Sequence, residues 1–73
     1  MPLSMVRPGQ RVRIEEIRGG RGLIGKLASM GFYPGVEIRV VSNRPGPLIV
    51  SRDGVKLGLG YGMAHRILVY PVS

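Results

Sequence analysis

The chain has 73 residues, 44% of them hydrophobic and none of them cysteine, and a formal net charge of +7. A length of this order implies one domain, over residues 1–73, that buries only about 60% of the surface its unfolded form exposes. Disulfides, thiolate metal sites and cysteine nucleophiles are excluded, and the charge favours an anionic partner without choosing among nucleic acid, an acidic protein face and an anionic membrane surface.

Residues 1–8 read as a flexible N-terminal extension ending in a Pro8-Gly9 turn signal. From Gln10 the residues alternate, with Val12 and Ile14 facing in and Arg11 and Arg13 facing out, which is the pattern of a half-buried strand. The phase breaks at Glu15-Glu16-Ile17, where a bulge or strand end returns Ile17 to the core. Gly19, Gly20 and Gly22 lead into a short helix whose apolar face is Leu23, Leu27 and Met30, with Ile24 and Ala28 alongside.

Gly31 fits the position just past a helix end, where left-handed geometry favours glycine, and Phe32 would then touch Leu27 in the last turn. Pro34 prevents the helix from resuming. Val36, Ile38 and Val40 alternate with Glu37 and Arg39 in a second strand, and Leu48 to Ser51 form a third beyond the loop at Asn43 to Pro47. Asp53-Gly54 is a hairpin signal leading into a fourth strand with Val55, Leu57 and Leu59 inward. Gly60 to His65 make a turn, with one helical turn at Met63 to His65. Ile67 to Val72 form the last strand, and Pro71 places its end at a sheet edge.

The fold expected is mainly β: a small, strongly bent antiparallel barrel of about five strands, with one short helix between the first two. Closure of the sheet would remove most exposed edges. No apolar run approaches the ~18 residues of a membrane span. Residues 1–10 lack the charged start and long apolar stretch of a signal peptide, so the chain is expected in the cytoplasm.

The stretch Lys26-Leu27, Met30-Gly31-Phe32, Pro34-Gly35 and Val36 to Val40 resembles the FeoA family. The likeness continues through Gly46 to Val50, Asp53-Gly54 with Val55 to Leu59, and Ala64 to Val69, and so covers nearly the whole chain from Gly9 onward. Leu57-Gly58-Leu59-Gly60 departs from it, since the family more often carries alanine or a larger residue there. The resemblance implies an SH3-like β-barrel. It also implies an accessory role in ferrous iron uptake, in contact with the cytosolic GTP-binding part of a membrane ferrous iron transporter. The same fold occurs as a C-terminal domain of iron-dependent repressors, so the fold by itself does not fix the role.

The residues argue against catalysis. His65 is the only imidazole, and a nucleophile needs both an adjacent base and a group that orients it. One histidine and the four carboxylates Glu15, Glu16, Glu37 and Asp53 are a poor set for iron or zinc, so neither a metal nor a cofactor is expected. An arginine supplied in trans to a GTPase would come from Arg18 or Arg21 in the glycine-rich loop. Gly58 to Gly62 is not a phosphate loop, because no long helix and no terminal lysine follow.

Two candidate contact features remain. One is a docking face of Arg21, Lys26, Met30 and Tyr33, in which Met30 also suits the core by its spacing. The other is the outward strip of Gly58 and Gly60, where the strand either bends or lets another chain lie close. A competing reading is a basic barrel that binds nucleic acid, for which the charge speaks. The few aromatics, of which Phe32 and Tyr61 point inward, speak against it. Capture of proline-rich peptides is disfavoured by the lack of tryptophan.

Overall fold

The computed structural model describes residues 1–72. Five antiparallel strands form one sheet in the order β4-β3-β2-β1-β5: β1 is Arg11–Ile17, β2 Glu37–Ser42, β3 Leu48–Arg52, β4 Val55–Leu59 and β5 Ile67–Pro71. The helix α1, Arg21–Ser29, lies between β1 and β2, and the short helix α2, Tyr61–Ala64, precedes β5. This is the expected mainly β architecture. The helical turn before β5 begins at Tyr61 rather than Met63, with Gly60 as its N-cap.

Alternation places the core wherever strands are covered. Val12, Ile14, Ile38, Val40, Val50, Ile67 and Val69 are all buried. The register of β1 against β5 shifts between Ile14 and Glu16, and this bulge turns Ile17 inward.

Two expectations are corrected. Residues 1–8 are not a loose extension. Leu3–Met5 form a 3₁₀ turn, in which residues three apart share a face, so Leu3 and Val6 are both fully buried. Burial of side chains of this size is worth about 1.5–3 kcal/mol each. Asn43 fastens the segment, donating from Nδ2 to the carbonyls of Ser4 (3.1 Å) and Val6 (2.7 Å). Tyr61 donates its hydroxyl to Asn43 Oδ1 at 3.0 Å, and the Arg44 guanidinium lies 5.1 Å from the Tyr61 ring centre.

The second correction concerns the edges. Among the described residues, β4 and β5 do not pair with one another, so the sheet has two edges. The edge of β5 is covered by the N-terminus: Met1 N donates to Val69 O at 2.9 Å, Val69 N donates to Met1 O at 2.7 Å, and Pro2 bridges Leu68. Among the described residues, none pairs along the edge of β4 in this way.

Candidate functional site: a groove beside an open strand edge

The site is built by two abrupt stops in the chain. The first is the end of α1. Phe32 N donates to Leu27 O at 2.8 Å and Gly31 N to Ala28 O at 3.0 Å, the bond pair of a Schellman ending, with Gly31 at φ +88°. Phe32 and Leu27 are buried as the anchor of this turn. The helix has no side-chain N-cap and lies loosely on the sheet. Of its expected inner face only Leu27 is fully buried and Leu23 is half-buried, while Ile24 and Met30 stay exposed. Met30 is therefore a surface residue, and its helical spacing with Leu27 did not carry it into the core.

The second stop is the β3–β4 turn. Asp53 (φ +52°) and Gly54 (φ +82°) adopt the two left-handed conformations of a type I′ turn, closing the pair Arg52–Val55. Val55, expected inward, is 70% exposed, because it stands at the hairpin tip on the last strand of the sheet, with no strand beyond it among the described residues. Leu57 is half-buried and Leu59 buried.

Between the two stops runs a mostly apolar groove of about 280 Å³, lined by Met30, Phe32, Arg52, Asp53, Val55 and Leu57. The Arg52 guanidinium crosses its end. Arg52 Nη1 would stand 2.7 Å from a Cβ at Gly31, so a side chain there would push the guanidinium aside. The cation thus lies at the C-terminal end of α1, where the helix carries partial negative charge. Its nearest carboxylate is Asp53, at 3.9 Å. On the far side of Arg52 and Asp53 lies a second, shallower depression that includes Tyr33, Pro34 and Glu37.

The predicted contact residues are partly brought together. Met30 and Tyr33 flank the Arg52–Asp53 ridge, and Lys26 sits one helical turn before Met30. Arg21 does not join them, since nine residues along a helix place it about 180° round the axis from Met30. Gly58 lies on β4 next to Leu57, opposite Ile49, with open space where a side chain would be. Gly60 lies past the strand end, equally open, and accepts the Ala64 N–H at 2.9 Å. Arg52, Asp53, Val55 and Leu57 were not singled out from sequence as site residues. The available signal was the tight Asp53-Gly54 turn, which leaves nothing above the hairpin tip.

The charges are unevenly matched. Glu37 takes both Arg11 and Arg13 at 3.5 Å, and Glu16 takes Arg18 at 3.2 Å. Among the described residues, no carboxylate lies within ion-pair reach of Lys26, on α1, or Lys56, on β4. His65 lies at the surface with Nδ1 3.4 Å from Ser4 Oγ. Among the described residues, no three His, Asp or Glu side chains gather as a metal site. No described helix is long and apolar enough to cross a membrane.

Comparison with known proteins gives a consistent result. The FeoA domain family matches residues 1–71. A putative Fe(2+) transport protein A of Methanocaldococcus jannaschii is 35% identical over 68 residues, 93% of this chain and 83% of that protein. The crystal structure of an iron uptake regulatory protein, FeoA, superimposes with a TM-score of 0.91 at 40% identity, covering 99% of this chain and 97% of that one. A manganese-dependent transcriptional repressor shares the fold at a TM-score of 0.87 and 24% identity, over 41% of its own chain.

Proposed function

The chain belongs to the FeoA family, and on that premise we propose that it is a cytoplasmic accessory protein of ferrous iron uptake that binds the soluble GTP-binding part of a membrane ferrous iron transporter. FeoA proteins are accessory proteins of iron transport and not an enzyme family. The observation that carries the binding role is the exposed apolar cluster at the end of α1. Met30, Tyr33 and Val55 are held in the open by a buried anchor, Phe32, and by a type I′ turn, with Lys26 and Arg52 beside them. Single exposed apolar side chains are ordinary, but grouped exposure of this kind marks contact surfaces. The cations add attraction to an acidic partner face and raise the rate of encounter.

In this reading Met30 and Tyr33 supply apolar contact, and Lys26 and Arg52 steer and orient. The bare backbone at Gly58 and Gly60 lets the partner approach closely. Arg21, on the other side of α1, contributes to the general charge rather than to the groove.

A double variant, Tyr33→Ala with Lys26→Glu, tests the reading. Both positions are exposed, so the fold should persist. Binding to the isolated GTP-binding domain should fall by about tenfold or more, and the variant should not restore iron uptake to a deletion strain. Full restoration of uptake by a folded double variant would contradict the proposal.

A further inference from the structure

The groove and the open edge are parts of one feature. In a hairpin closed by a two-residue type I′ turn, the closing pair exchanges both backbone bonds, and the pairs alternate from there. Counting from Arg52–Val55, the pairs Val50–Leu57 and Leu48–Leu59 are hydrogen-bonded, while Lys56 and Gly58 sit at non-bonded positions. The N–H and C=O groups of Lys56 and Gly58 therefore point away from β3, toward the uncovered side of β4. Among the described residues, no backbone or side-chain group bonds to them. The other face of the same strand presents Val55 and Leu57 to the groove, with Met30 across from them.

Natural sheets blunt their edges with proline, bulges, lysines or a covering segment. This chain lays its own backbone along β5, whereas at β4 it places a single lysine, Lys56, and a glycine, and among the described residues no segment pairs with it. We infer that β4 accepts a sixth strand: an extended, acidic segment of a partner protein that pairs antiparallel with Lys56 and Gly58 and seats alternate apolar side chains over Val55 and Leu57 against Met30. This deepens the docking role and rests on it only for the identity of the partner.

The occupant follows from register and charge. An added strand alternates like its neighbour, so every second side chain would enter the groove and the others would lie on the outer face beside Lys56. The outer positions call for carboxylates, because Lys56, the cation on that face of β4, has no carboxylate within ion-pair reach among the described residues, and the chain as a whole carries a net charge of +7. Gly58 leaves the outer face clear, with nothing within 4 Å of a built Cβ. A second copy of this chain fits worse. Pairing β4 with β4 would bring two net charges of +7 together and crowd their Lys56 residues on one face.

The test uses the whole protein and a short acetylated peptide alternating glutamate with valine or leucine. In an amide NMR titration the shifts should concentrate on Met30 and on Val55 to Gly58. Methylating the peptide nitrogens that face the edge removes the pairing donors without altering the target, and should weaken binding by about tenfold or more. Replacing glutamate by lysine in the peptide should weaken it comparably. Gly58→Pro should reproduce the effect of methylation, and since the Gly58 N–H bonds to no strand its folded spectrum should persist. Shifts on another face, equal binding by the methylated peptide, or a concentration-dependent β4–β4 dimer of the free protein would each overturn strand addition. A parallel titration with the transporter's GTP-binding domain separates the two proposals. If the domain binds wild type and Gly58→Pro alike, strand addition fails and the transporter reading stands. If the peptide seats on β4 but the domain does not bind, the reverse holds.

Discussion

The two edges of the sheet make the most instructive contrast in this molecule. At β5 the chain covers itself: Met1 exchanges backbone hydrogen bonds with Val69, and Leu3 and Val6 seal the core beneath. At β4 the chain stops at a tight turn, leaves Val55 in solvent and places Gly58 where a covering side chain could stand. Both edges belong to one sheet of one small domain, so general strand propensity does not account for the difference. One edge is closed by stability-bearing residues. The other is left available, and its exposed apolar side chains adjoin unmatched cations. Strand edges are ordinarily protected because they recruit other chains, so an edge that carries one lysine but no covering segment, beside a groove, reads as a place for recruitment by an acidic chain.

Substitutions can break or sharpen this contrast, and urea denaturation should rank them. Leu3→Ala, on the covered side, should have the largest effect, about 2–5 kcal/mol lost, because the site is fully buried and a cavity would remain. Asn43→Ala should cost about 1–3 kcal/mol, since the Ser4 and Val6 carbonyls and the Tyr61 hydroxyl would all lose their shared partner. Gly31→Ala, at the groove end, should cost roughly 1–2 kcal/mol for a left-handed residue with a Cβ, and Arg52 would have to move. Val55→Lys, at the open tip, should change stability by no more than about 0.5 kcal/mol while reducing partner binding. A Val55→Lys effect as large as that of Leu3→Ala would erase the distinction between the edges.

Much of the fold was legible in the residues. Alternation assigned the inner positions of β1 and β2 correctly because both strands have neighbours on each side and a covered face. The end of α1 was legible because glycine followed by an aromatic and a proline leaves the backbone few choices. The same alternation misjudged Val55, since period-two patterning says which face a side chain occupies and nothing about whether that face is covered. Whether β4 has a neighbour is a matter of topology, decided by segments distant in sequence. Residues 1–8 were misread for a related reason. Leu3 and Val6 are spaced for one face of a 3₁₀ turn, but so short a signal gains meaning only once β5 and Asn43 are in place to receive it.

Half of the candidate site was anticipated, in Lys26, Met30, Tyr33 and Gly58. Its other wall was not: Val55 and Leu57 read as ordinary inward strand residues and Arg52, between the third strand and the turn, carried no assignment, because the groove forms only when the hairpin is folded against the end of α1.

Amide hydrogen exchange at single-residue resolution tests the central contrast most directly, with the free protein compared against the protein mixed with its proposed partner, the GTP-binding domain of a ferrous iron transporter. The account predicts that Val69 is protected in the free protein, that Lys56 and Gly58 exchange rapidly there, and that Lys56 and Gly58 become protected in the complex. Slow exchange at Lys56 and Gly58 in the free protein, or protection on binding that leaves β4 untouched, would contradict it.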